Sequence, residues 1–259
     1  MEQLFAQLAA MLLGASRAMG IFTAAPVFST RFVPFQVRVA ISFVLGLFLI
    51  PAIPVDPGRT EGVYLLLAAL VELLVGLAIG FLCLLVVSVM QIAGAWIDLE
   101  MGFALAGLFD PLTGESATVL GNLFQTTALV FFLAVDGHHW LIRALARSYD
   151  LVPAGGPVEG AAAGLYVARL FGDLLGIAIQ LILPFVAAML LTMVAFAVLN
   201  RAVAQLNIFA VGLGTKTFVG LLLLIILLPF YARPLAALFE AGYVEALRVI
   251  DLMRAATGG

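Results

Sequence analysis

From Val63 to Ile97 the chain runs 35 residues with a single charge, Glu72. As helix this run is about 52 Å long at 1.5 Å per residue, well beyond the roughly 30 Å hydrocarbon core of a bilayer. Such a run has two solutions. It folds back as two half-length helices, or it stands as one long helix that leaves the bilayer and enters other protein. A second run poses the same choice. Leu174 to Leu199 extends back to Leu165 with only Arg169 and Asp173 as charges, and Pro184 lies near its middle. Proline removes one backbone donor and kinks the helix that holds it.

Four further apolar runs complete the pattern: Leu4 to Val27 (interrupted by Arg17), Val39 to Ile53, Val119 to Val135, and Phe218 to Tyr231. The first is too long, and too rich in alanine and glycine, to read as a cleaved signal peptide, and is expected in the mature protein. Composition closes the alternatives. The 259 residues are 64% apolar and 10% charged, against roughly half and a quarter in soluble domains. Too few charges remain to cover a water-facing globule. Cys83 is the lone cysteine, which excludes a disulfide scaffold. Lys216 is the only lysine, the net charge is −3, and no window gathers a basic patch for nucleic acid. The expected fold is an all-α integral membrane protein with about six apolar segments, forming one unit.

Gly76-x-x-x-Gly80 and Gly172-x-x-x-Gly176 place small residues on one helical face, the pattern that allows close backbone contact, though a glycine-rich chain also produces it by chance. Pro51 to Gly58 and Val152 to Val158 read as loops. Between His138 and Tyr149 a short helix is expected, with Trp140, Leu141 and Leu145 on one side and Arg143 and Arg147 in line, at the membrane interface. Pro234 to Arg254 reads as a second amphipathic helix that packs on a partner or on the membrane surface. Arg143, Arg147, Arg169, Arg233, Arg248 and Arg254 favour a cytoplasmic side for the loop after the fourth run and for the tail. Arg31 and Arg38 pull the other way.

Chemistry is sparse. Asp98 and Glu100 at i, i+2 diverge by about 200° on a helix, and the adjacent His138 and His139 by about 100°, so neither pair is expected to hold an ion. Both read as solvated residues at loop edges. No phosphate-binding glycine loop or nucleophile turn is present. No catalytic, cofactor-binding or metal residues are therefore assigned. Arg17 and Glu72 interrupt apolar runs. A charge at the bilayer centre costs about 2.5–3.5 kcal/mol and needs a partner or a water-filled path. A conduit lining, an inter-subunit pair and a structural pair between helices all remain open. The most unusual stretch is Met101 to Pro111, apolar and bracketed by glycines and a proline, with acids on either side. An irregular apolar segment at membrane depth is tolerated only within protein or lining a cavity. Gly102, Leu105, Leu108 and Phe109 would there make a compliant hydrophobic constriction; an ordinary packing segment is the alternative.

Five blocks, in order, resemble the FliR/SctT family of type III export-gate proteins along nearly the whole chain. They are Arg17-Ala-Met-Gly20 with Ala25-Pro26-Val-Phe28 and Val33 to Arg38; Gly94-Ala-Trp-Ile-Asp-Leu-Glu-Met-Gly102 with Phe109-Asp110-Pro111; Phe132 to His138; Ser148-Tyr-Asp-Leu-Val-Pro153; and Leu199 to Gly212. The resemblance implies broken, inclined helical hairpins within a helical hetero-oligomeric export gate of the bacterial inner membrane. The hairpins of about 1–190 would be like FliP, and the hairpin of about 191–259 like FliQ. It implies a structural, channel-forming subunit in the flagellar basal body, extending toward the periplasm, through which unfolded flagellar subunits pass. It implies no enzyme activity and no cofactor. Implied partners are FliP-like and FliQ-like proteins, an FlhB-like switch protein, export substrates and lipid. On the same resemblance, Gly102, Leu105, Leu108, Phe109, Asp110 and Pro111 form a loop that plugs the channel. Leucines stand at 105 and 108 where some relatives have phenylalanine, and Ala204 and Gly214 replace family prolines. A virulence-system subunit of the SctT type is the sister reading. An autonomous transporter or intramembrane enzyme using Glu72, Asp98 or the histidines is the reading from another class.

Overall fold

The computed structural model describes residues 2–29, 33–53, 62–103, 118–202 and 208–254. Most of the described residues are helical, the rest forming turns and short connections, with no strand among them beyond an isolated bridge between Val158 and Arg254. In chain order the helices are α1 (Glu2–Ala24), α2 (Phe35–Leu49), α3 (Gly62–Met101), α4 (Val119–Ala134), α5 (Gly137–Leu151), α6 (Gly160–Ala202) and α7 (Ile208–Met253), with a 3-10 turn at Ile50–Ala52.

Both overlong runs are single continuous helices and not pairs of half-length helices folded back. α3 is one continuous helix of 40 residues, and α6 is one of 43 that carries Pro184 in its interior. α7 is longer still at 46 residues, with Pro229 and Pro234 inside it. Forty residues of helix span about 60 Å, twice the hydrocarbon thickness. The expected six segments become fewer spans. Among the described residues α1, α3, α6 and α7 are each long and apolar enough to cross a membrane, and α4 with α5 makes a fifth if the pair counts as one. That pair is bent by 69°. The break falls at Asp136, which stands in the left-handed region at φ 58°. α2, at 15 residues, is too short to cross alone.

Packing divides the chain into two units, one built from 1–86, 132–171 and 238–259, the other from 87–131 and 172–237. Glycine sets the first. A Cβ on Gly76 would overlap the Arg17 carbonyl oxygen, and one on Gly20 would overlap that of Leu73. On Gly80 it would lie 2.6 Å from the Ile21 carbonyl oxygen. The backbones of α1 and α3 thus touch, which only residues without a side chain permit. Ala18, Ile21, Val75 and Ile79 are buried. The second small-residue pair behaves differently, because a Cβ on Gly172 or Gly176 would meet nothing within 4 Å.

The C-terminal amphipathic segment is not a separate surface helix. It forms the last turns of α7 and buries its apolar face inside its own unit. Phe239 lies 5.1 Å from Phe132, and Leu238, Val249 and Ile250 are buried. Its polar side clips the start of α6: Tyr166 donates to Glu245 at 2.5 Å and accepts from Arg248 at 3.0 Å. α5 follows the same logic, burying Leu141, Ala144 and Leu145 while Arg143 and Arg147 face outward. By contrast, only 17% of the most apolar stretch of α6 and 22% of that of α7 is buried in the chain.

These contacts assign opposite signs to two glycine substitutions. Gly76→Ala is expected to lower the unfolding temperature, since overpacking a tight contact costs about 1–3 kcal/mol. Gly172→Ala should leave it unchanged or raise it, because alanine gains up to about 1 kcal/mol of helix propensity where nothing is displaced. Thermal unfolding of the detergent-solubilised chain measures both. Equal losses would remove the glycine seam between α1 and α3.

Candidate functional site: a buried charge node and two anchored helix ends

The close approach of α1 and α3 brings Arg17 against Glu72, and both side chains are fully buried. Arg17 Nε donates to Glu72 Oε2 at 2.5 Å, Nη1 to Ser148 Oγ at 2.8 Å, and Nη2 to the Val152 carbonyl at 3.0 Å. Its guanidinium lies 3.8 Å from the centroid of the Tyr149 ring, a cation–π contact on one face. Glu72 is bound at its other oxygen by the backbone amide of Gly155, at 3.0 Å. Gly155 is at φ 66°, a conformation that favours glycine, and this turn aims its amide inward. Ser148 in turn donates to the Leu145 carbonyl.

A fork of five donors on a planar group suits this task, which a lysine could not perform. The result is a node joining α1, α3, the end of α5 and the following turn. The charges left open in the sequence therefore pair with each other inside the chain. Ser148, Tyr149, Val152 and Gly155 escaped assignment as partners. Ser148, Tyr149 and Val152 fall in one of the blocks carrying the family resemblance, Ser148 to Pro153, but nothing in that block marked them as partners of Arg17.

Two other acids and the chain's single lysine fix helix ends in the second unit. Asp98 is buried, not solvated as expected, and its carboxylate accepts from the amides of Leu120 at 2.9 Å and Gly121 at 3.3 Å. Those amides belong to the first turn of α4, where intrahelical acceptors are lacking and negative charge is favoured. Asp98 thus caps a helix other than its own. Glu100 diverges from it as the spacing requires and meets Lys216 of α7 at 3.5 Å. Thr217 donates to the Met101 carbonyl at 3.2 Å, satisfying one orphan acceptor at the end of α3. Gly102 stops that helix at φ 85°, its amide donating to the Leu99 carbonyl at 3.2 Å. Of the plug-loop residues, Gly102 alone is placed. Leu105, Leu108, Phe109, Asp110 and Pro111 lie outside the described residues.

The histidines do not follow the helical projection. Their ring centroids are 4.2 Å apart, tilted by 36°, and both rings face the Asp136 carboxylate. None of these three places sets a nucleophile beside a base.

Residues 8–242 match the model of a family described as bacterial export proteins, family 1. The flagellar biosynthetic protein FliR of Bacillus subtilis is 33% identical over 216 residues, covering 81% of this chain and 82% of its own. FliR of Escherichia coli K12 is 29% identical, covering 83% of each. The surface presentation of antigens protein SpaR of Shigella sonnei is 27% identical over 79% of this chain and 82% of its own.

The charge node makes an asymmetric prediction. Glu72→Ala strands a buried guanidinium and is expected to cost about 3–5 kcal/mol, whereas removing both charges together costs less. Unfolding of E72A and of the R17M/E72A double variant compares them. A double variant as unstable as the sum of two singles would show no coupling.

Proposed function

The chain belongs to the bacterial export proteins of family 1, and from that premise we propose that it is a structural, channel-forming subunit of a flagellar type III protein export gate. The observation carrying this is the extent of the family match, which reaches from α1 to the last turns of α7. The FliR relatives favour the flagellar system, and the similarity to SpaR favours the virulence-type reading second.

In this reading the subunit resides in the bacterial inner membrane, at the basal body, and reaches toward the periplasm. It performs no covalent chemistry. Two properties of the chain support it. Three helices are at least about twice the length a bilayer core needs, and two of them leave most of their apolar stretch uncovered by the chain itself. Apolar surface beyond the bilayer's thickness needs protein to cover it. FliP-like and FliQ-like proteins are the proposed cover, with residues of about 1–190 taking the FliP-like part and about 191–259 the FliQ-like part. An FlhB-like protein is the proposed switch partner, and unfolded flagellar subunits are the cargo. Leu105, Leu108 and Phe109 are proposed as the hydrophobic plug, between Gly102 on one side and Asp110-Pro111 on the other. An apolar ring of this kind excludes water and ions by dewetting and still yields to a chain.

Co-expression with a FliP-like and a FliQ-like protein is expected to yield one defined hetero-oligomer containing this chain. Full export by the chain alone, as a monomer, would sink the assignment. Replacing Leu105, Leu108 and Phe109 together with glycine should make the membrane leak ions while the assembly still forms. An unchanged conductance would remove the plug and leave the family intact.

A further inference from the structure

We propose that Asp136, His138 and His139 form a binding site for a late first-row divalent metal ion, zinc being the best match, at the start of α5. Three donor atoms converge there. His139 Nδ1 lies 3.4 Å and His138 Nε2 3.9 Å from the same oxygen, Asp136 Oδ1. All three donors fall within 4.8 Å of one another. Ligands bound tetrahedrally at about 2.0–2.1 Å stand roughly 3.3 Å apart, so one distance is met and the others need only small side-chain rotations. The exposure of these side chains, from 35% to 72%, leaves room for them.

The sequence projection excluded this site because neighbours on a helix point about 100° apart. Both histidines do stand in α5; what that projection left out is a third ligand, Asp136, which precedes the helix. Asp136 is the N-cap of α5, yet its carboxylate caps no amide, whereas aspartate at an N-cap normally accepts from the first turn. Its φ of 58° precedes the helix, and its carboxylate faces the two imidazoles. Two imidazole nitrogens with one carboxylate suit zinc, cobalt, nickel or copper, whereas calcium and magnesium demand more oxygen ligands. The fourth position is left to water. His138 Nδ1 is buried without a hydrogen-bond partner among the described residues. A metal on Nε2 keeps the proton on that orphan nitrogen, so affinity falls short of closed sites with four protein ligands.

All three ligands lie within four residues at the bend between α4 and α5, so a bound ion would stiffen the first turn of α5 there. The chain has only two histidines, both at this place, so a histidine-specific probe reports on it alone. The test uses the full chain, free of any histidine tag, purified in detergent and stripped with chelator. Calorimetric titration with zinc chloride should show one saturable site per chain, and cobalt should give the absorption of a low-coordinate complex. Asp136→Asn and His139→Gln are each expected to weaken binding by about tenfold or more. Zinc should also protect the histidines of the unsubstituted chain from diethyl pyrocarbonate, a readout that does not depend on how the variants fold. Absence of saturable binding, binding unaltered in folded variants, or histidines modified equally with and without zinc would each overturn the site.

Discussion

Arg17 and Glu72 are tolerable in the interior only because each has the other. An isolated guanidinium or carboxylate in an apolar helix pair would be neutralised or expelled. Their meeting depends in turn on Gly20, Gly76 and Gly80, which bring the two backbones into contact. The node then recruits the polar end of α5 and the Gly155 turn, so one ion pair positions four pieces of chain. A buried pair of this sort is a weak source of net stability but a strong constraint on arrangement. In an apolar chain, where one greasy surface packs against another with little preference, that constraint is what selects a single register.

The long helices answer a different demand. A helix that only needs to cross a bilayer has no reason to run 40 residues without a break. α3 covers much of its length with its own chain, 56% of its most apolar stretch being buried, while α6 and α7 do not. The unequal burial separates scaffold from contact surface. Gly172 and Gly176 fit this division, since they offer close approach on α6 that none of the described residues uses.

Much of the fold was legible in the sequence, for a physical reason. Apolar runs longer than 20 residues have few structural options, so helices were expected where helices stand. What stayed open was continuity. Pro184 suggested a break, yet α6 continues through it, since a proline inside a helix removes one backbone hydrogen bond and can be accommodated as a kink. The amphipathic tail was assigned to a partner or to the membrane surface because periodicity alone cannot choose its cover. Its periodicity shows that one face is covered but not by what, and Phe132 and Trp140 prove to cover it. Partner identity was the least legible layer. Arg17 and Glu72 stood out singly as charges in apolar runs, whereas Ser148, Val152 and Gly155 act through a hydroxyl and backbone atoms that no pattern of residue types marks. The pairing of both imidazoles with Asp136 was not legible, because that residue stands in the left-handed region just before the helix and its direction follows no helical period.

Asp98 belongs to a set of contacts that hold two helix ends of the second unit. The carboxylate holds the first turn of α4, Thr217 holds the last carbonyl of α3, and Gly102 stops that helix by its own backbone. None of these contacts uses a side chain between 103 and 118. The two points from which the loop departs and to which it returns are therefore set by residues outside it. Loss of Asp98 would free amides at one end, and loss of Lys216 would leave Glu100 without its cation at the other. The two helix ends are thus fixed by charge and hydrogen bonds, which are directional, whereas apolar contact alone would leave their register open.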